Sequence, residues 1–243
     1  MKRVMLTISY DGTDYHGWQI QPNGITVQQV LEESLTKLLG VKTSVSGCSR
    51  TDAGVHAKEF CLHLNCAENI PESAFLLGLN AILPKDISVK SFKVVANDFH
   101  ARFDCKGKTY VYNFYEGLTD PFLSRYALRL DKLPDEVIMN NFCKTLIGTH
   151  DFIAFSSSGR TVEDTVRTVT ECSYKAVGNR GYFLITANGF LYNMVRIAAG
   201  TALDVANGVL NENCSLNAFE NKERKSLGKT LKPQGLFLEK VYY

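Results

Sequence analysis

The chain has 243 residues, 45% hydrophobic and 11% aromatic, with 27 Lys+Arg against 25 Asp+Glu for a formal net charge of +2. That content can bury one large core or two small ones without metal or disulfide support, and the longest apolar runs, such as AFLLGL at 74–79, fall far short of the roughly 20 residues that cross a bilayer. Seven cysteines without framework spacing fit a reducing compartment, so a cytoplasmic protein with no signal peptide and no membrane partner is expected.

Val4, Leu6, Ile8 and Tyr10 alternate with polar or opposite-face residues and predict a first strand. A turn-rich stretch, DGTDYHGW, follows. Thr26 and Gln29 form a T-x-x-Q capping box, and Val27, Val30, Leu31, Leu35, Leu38 and Leu39 recur at helical spacing up to Gly40, a helix stop. Strands are predicted at 41–46 and around Phe60, Leu62 and Leu64, then a helix opened by Pro71 with Phe75, Leu76 and Leu79, then a strand at 87–94. The second half reads as a strand at 108–115, a helix at 135–147, strands at 166–176 and 182–187, a helix at 190–207 and a last strand at 235–242. Several strand pairs are joined too closely for helical crossovers. The expected class is therefore α+β, a mainly antiparallel sheet with helices on one face.

Between two of these strands lies SGCSRTDAGVHAKEF, residues 46–60. A solvated hairpin tip accounts for Asp52 and Gly54 but calls for neither Arg50 and Thr51 ahead of them nor His56 two residues beyond. A second arginine-bearing element is NGFLYNMVRIAAG, residues 188–200, where Phe190, Leu191, Met194, Val195 and Ala198 form an apolar stripe. Arg196 in that run must either snorkel to solvent or meet a carboxylate, which its fork of donors would hold ionised. Basic side chains gather at Arg102, Lys106 and Lys108 and at Lys222, Arg224, Lys225, Lys229 and Lys232, as solvated faces or as a surface for a polyanion. Cys61, His63 and Cys66 lack a C-x-x-C pair or an evident fourth ligand, so no metal site is expected there.

SRTDAGVHA resembles the catalytic motif of the TruA-type tRNA pseudouridine synthases. YDGTDYHGWQ at 10–19, FHARFDCKGKTYVYNF at 99–114, GTHDF at 148–152, NGFLYNMVRIAAG and the terminal GLFLEKVYY look like further blocks of that family in its order. Cys48 and Ser49 depart from the small residue and glycine frequent before the arginine, and LGKTLKPQ has fewer alanines and prolines than the family's C-terminal stretch.

The resemblance implies two similar α+β subdomains with an active-site cleft between them, 1–103 carrying the Arg-Thr-Asp motif and 104–243 carrying Tyr110 and Arg196. It implies isomerisation of uridine to pseudouridine at positions 38, 39 and 40 of the tRNA anticodon arm by a homodimer. No cofactor or metal is called for, because the reaction conserves composition. Asp52 would be the essential aspartate, attacking covalently or acting as a base. Tyr110 would stack on the flipped base, Arg50 would occupy the space the base leaves, and Arg196 would pair with the aspartate. His56 is read as a turn residue satisfied by backbone bonds, and His100 and Arg102 as RNA-facing or structural. A noncatalytic RNA-binding module is the alternative; a metal-dependent deaminase or nuclease would require stoichiometric metal.

Overall fold

The alternation of Val4, Leu6, Ile8 and Tyr10 becomes strand β1 (Lys2–Tyr10), in which these four side chains are buried. A computed structural model describes residues 1–157 and 163–243. The chain forms two compact units, Met1–Lys106 with Phe237–Tyr243, and Gly107–Leu236. The class is α+β with a mostly antiparallel arrangement of strands, as the short connections require.

In the first unit β1 is antiparallel to both β3 (His56–Cys66) and β4 (Ile87–Val95), and the two-residue β2 (Ser46–Gly47) pairs with β3. Helix α1 (Val27–Leu39) begins and ends where its caps dictate. The Thr26 hydroxyl accepts from the Gln29 N–H at 3.3 Å, and Gly40 donates its N–H to the Thr36 carbonyl at 3.0 Å. The helix buries Val27, Leu31 and Leu35. Beyond Pro71 the chain takes a wide π-helical course over Ala74–Leu79 before the short α2 (Asn80–Ile82). The Asn80 amide clamps this segment to β4, donating to the Val89 carbonyl at 2.9 Å and accepting from the Val89 N–H at 2.8 Å.

The stretch 41–46 is a strand only at its last residue. Side chains of α1 take its backbone donors instead of a ladder: Thr43 N–H reaches the Thr36 hydroxyl at 3.1 Å and Val45 N–H reaches Glu32 at 3.0 Å. The terminal strand β10 (Leu236–Tyr242) returns to the first unit, where Phe237 and Leu238 pair in parallel with His56 and Ala57 of β3.

In the second unit β5 (Gly107–Glu116), β9 (Arg180–Ala187), β8 (Val166–Val177) and β7 (Gly148–Asp151) are hydrogen-bonded in that order, all antiparallel. A short β6 (Leu128–Leu130) runs parallel to β5. Asp135 caps α3 (Glu136–Leu146) by accepting from two backbone N–H groups, and the Asn140 amide ties that helix to Tyr174 of β8 by bonds of 2.8 and 2.9 Å. Helix α4 (Met194–Ala206) is buried on nearly every side, and α5 (Cys214–Asn221) follows it. The helix expected from 190 starts at Met194 because Asn193 takes a left-handed φ of 63°, which no helix interior allows. β6, β7 and α5 were outside the sequence-based expectation.

His63 on β3 carries a prediction of its own. Its Nδ1 accepts from the Ala101 N–H at 3.1 Å, which requires the lone pair there. Burial first, then the neighbouring His100 and Arg3, hold its pKa down to about 4 from 6.5. The unfolded chain therefore takes up a proton near pH 6.5 that the folded chain refuses until about pH 4. Stability from this group is complete above pH 6.5 and falls as the pH drops through that window. Discounted for solvent screening, the loss is about 1–2 kcal/mol. Urea unfolding at pH 7.5 and 5.0 should show it, and His63→Asn should flatten the difference.

Candidate active site

Asp52 stands in the first unit on the turn between β2 and β3. Its carbonyl accepts from the Val55 N–H at 3.1 Å, closing the turn over Ala53 and Gly54. Thr51 and Val55 are buried, Asp52 is half-buried, and Arg50 and Ala53 are exposed, so the turn is anchored inward by Thr51 and Val55 and leaves both charged side chains accessible.

The loop after β1 is what holds this turn. Trp18 N–H donates to the Thr51 carbonyl at 3.1 Å and Gly54 N–H donates to the Tyr15 carbonyl at 3.2 Å. The hydroxyls of Tyr10 and Thr51 meet at 2.9 Å in a buried bond. Two glycines allow backbone to lie on backbone: a Cβ on Gly12 would stand 2.0 Å from the Val55 oxygen, and one on Gly17 would stand 2.4 Å from the Thr51 oxygen. The blocks YDGTDYHGW and SRTDAGVH thus form one rigid piece, and rigidity of this kind is what a reacting carboxylate requires.

His56, the first residue of β3, lies behind the turn with only 1% of its surface exposed. Its Nδ1 stands 3.1 Å from the Gly12 N–H and 3.1 Å from an Asp11 carboxylate oxygen, and its ring stacks on Phe237 at 4.5 Å between centroids. Backbone bonds alone do not satisfy this imidazole. Asp11 is a side-chain partner as well.

The other two predicted residues belong to the second unit. Tyr110 shares one face of β5 with Tyr112 and Phe114; it is 5% exposed and meets Phe190 edge-to-face at 5.0 Å. Arg196, on the first turn of α4, is half-buried. Within its own unit its Nε donates to the Leu231 carbonyl at 2.6 Å and its guanidinium donates to the Asn193 side-chain oxygen at 2.7 Å. A carbonyl and an amide hold part of the guanidinium fork. Burial raises the Tyr112 pKa and the Arg196 charge partly opposes it; the Tyr112 hydroxyl donates to the Lys232 carbonyl at 2.7 Å.

Two of the five basic residues at 222–232 have side-chain partners within the unit. Lys222 pairs with Asp151 at 2.8 Å, and Arg224 donates to the Leu227 carbonyl and the Thr230 hydroxyl. Burial raises the Asp151 pKa, but hydrogen bonds from Lys222, Thr165 and the Ile153 N–H outweigh it and bring the carboxyl below its ordinary value. Among the described residues, no three His, Cys, Asp or Glu side chains are placed to hold a metal ion, and no helix is long and apolar enough to cross a membrane.

Sequence reasoning passed over Asp11, Gly12, Gly17 and Asn193. Two glycines spaced by five within one turn-rich stretch were the available signal for close backbone approach, and an Asn just ahead of a helix was the signal for a left-handed residue.

The family model described as tRNA pseudouridine synthase matches residues 6–104 and 142–243. The chain belongs to that family. A relative from Clostridium perfringens named tRNA pseudouridine synthase A 2 is 42% identical over 244 residues, covering all of both chains. Relatives named tRNA pseudouridine synthase A are 43% identical in Clostridium kluyveri, over 244 residues, and 43% in Lysinibacillus sphaericus, over 249 residues, again with full coverage of both chains. In this member of the tRNA pseudouridine synthase family, Asp52 is a half-buried carboxylate on a turn whose backbone is held from behind.

Asn193 offers a test of the Arg196 support. Asn193→Ala keeps a Cβ in the left-handed region and removes both the guanidinium's side-chain acceptor and the donor to the Ser157 hydroxyl, whereas Asn193→Gly removes the same two bonds without the Cβ. The Ala variant should lose about 1–2 kcal/mol of stability and the Gly variant markedly less. Both should lose isomerase activity several-fold and to a similar extent, as read by product formation beside thermal unfolding.

Proposed function

We propose that this protein isomerises uridine to pseudouridine at positions 38, 39 and 40 of the tRNA anticodon stem-loop, with Asp52 as the catalytic carboxylate. The observation that carries the reading is the Arg50–His56 turn, fixed by hydrogen bonds with Trp18, Tyr15 and Tyr10, in a chain of the tRNA pseudouridine synthase family.

In the reaction the bond between N1 of uracil and C1′ of ribose breaks, the uracil turns in place, and C5 bonds to C1′. The proton on C5 leaves and N1 gains one. Atoms and electrons balance within the nucleoside, and no cofactor enters. An ionised Asp52 serves by nucleophilic attack or by taking a proton from the sugar. A base inside a stem must leave the stack to be reached. Tyr110 offers it an aromatic face, exposed Arg50 fills the gap or holds the backbone, and Arg196 contributes a cation to substrate binding. The enzyme works in the cytoplasm as a homodimer, which gives one small chain the reach to hold a tRNA.

The test is tritium release from a tRNA transcript labelled at C5 of uracil, in metal-free buffer without cofactor, beside light scattering on the eluting protein. Release with a dimeric mass is the expected result. Binding of the transcript without release would leave an RNA-binding module and remove the isomerase.

A further inference from the structure

His56 follows Asp52 by four residues, and its Nδ1 is aimed at the Asp11–Gly12 loop behind the turn. The imidazole is buried between Phe237 on one face and the Asp11–Gly12 loop on its Nδ1 edge. Packing alone needs no nitrogen there, since an apolar side chain would fill the space without the cost of burying a polar ring.

Nδ1 faces a donor, the Gly12 N–H, and an acceptor, the Asp11 carboxylate oxygen, both at 3.1 Å. A ring nitrogen cannot accept from one and donate to the other at the same time. With its lone pair free it binds Gly12, and with a proton it binds Asp11; in either form it ties the same two residues to the start of β3. Asp11 is itself oriented, accepting from the Thr13 N–H at 3.0 Å and the Thr13 hydroxyl at 2.6 Å. Gly12 in turn packs on the Val55 carbonyl, and Val55 donates the bond that closes the turn at Asp52.

We infer that His56 is a positioning residue for Asp52, acting through Asp11, Gly12 and Val55 to set where the carboxylate stands. The inference rests on the isomerase reading above. Misplacing a reacting group by about 1 Å can cost on the order of 10²-fold in rate. Transcript binding is spread over a wide surface and should barely register the same shift.

The experiment compares wild type, His56→Leu and His56→Asn for kcat and KM on the C5-tritiated transcript, with circular dichroism and thermal unfolding on each. His56→Leu keeps bulk and loses both ring nitrogens; His56→Asn restores an acceptor near the Nδ1 position alone. The expected result for Leu is a fall in kcat of roughly 10- to 100-fold with KM within about threefold, and for Asn a recovery of about tenfold or more. A folded Leu variant with kcat within about threefold of wild type overturns the inference. So does equal impairment of Leu and Asn, which would mark a role in packing alone. If the Leu variant does not fold, His56→Gln, whose longer amide does not reproduce the Nδ1 position, takes its place. A lower kcat than His56→Asn at unchanged KM supports the inference, and equal kcat in Gln and Asn overturns it. A wild type that releases no tritium removes the isomerase reading and this inference with it, whereas active wild type with active His56→Leu removes the inference alone.

Discussion

Asp52→Asn should reduce tritium release by roughly 10³-fold or more while transcript affinity stays within a few-fold of wild type. The substitution keeps the shape and exchanges one carboxylate oxygen for an amide nitrogen. An amide neither attacks the sugar or base at a useful rate nor accepts a proton near neutral pH, so both routes open to Asp52 close together. The backbone bracing does not run through the substituted atom, because residue 52 closes its turn through its backbone carbonyl, Trp18 donates to the Thr51 carbonyl, the Tyr15 carbonyl accepts from Gly54, and Tyr10 bonds the Thr51 hydroxyl. Loss of activity with intact binding and unfolding would therefore report chemistry. Single-turnover release beside filter retention of the transcript separates the two, and an Asn variant above about one tenth of wild-type rate would move the catalytic role to another residue.

Local patterns were legible where local physics decides. The caps Thr26 and Gly40 mark both ends of α1, and Asp135 marks the start of α3, because each satisfies orphan backbone groups through a bond within one helical turn. The alternation along β1 and β5 was equally plain. Failures came where a distant partner decides. Nothing in residues 41–45 announces that Thr36 and Glu32 will take their N–H groups. The four residues of β7 are too few to show a period, and the parallel pairing of Phe237 with His56 exists only once the chain has returned. The candidate residues divide in the same way. Arg50, Asp52, Tyr110 and Arg196 could be singled out from sequence, but the parts that hold the Asp52 turn still are backbone contacts at Gly12 and Gly17 and a buried face of His56, which carry no sequence period.

Those glycines should be nearly as intolerant as the aspartate, for the opposite reason. Gly12→Ala places a methyl 2.0 Å from the Val55 oxygen and 2.6 Å from its carbonyl carbon, and both are backbone atoms with no rotamer to yield. Gly17→Ala meets the Thr51 oxygen at 2.4 Å and also holds a side chain at φ 83°. Relief in either case means moving the 11–18 loop away from the turn. That breaks the bonds from Trp18 and to Tyr15 that fix Thr51 and Gly54. Each substitution should cost about 2–4 kcal/mol of stability, as overpacking against a fixed neighbour does, and the protein that remains folded should lose on the order of 10²-fold in kcat from displacement of Asp52. Gly40→Ala is the control: it shares the positive φ, at 70°, but a Cβ there meets nothing within 4 Å. It should cost about 1 kcal/mol from backbone strain and leave kcat unchanged. Urea unfolding with tritium release on the three variants distinguishes strain from displacement. Wild-type kcat in Gly12→Ala would mean that the loop can retreat without carrying the turn with it, and the bracing of Asp52 would then have to reside in the Tyr10–Thr51 bond and the β2–β3 ladder alone.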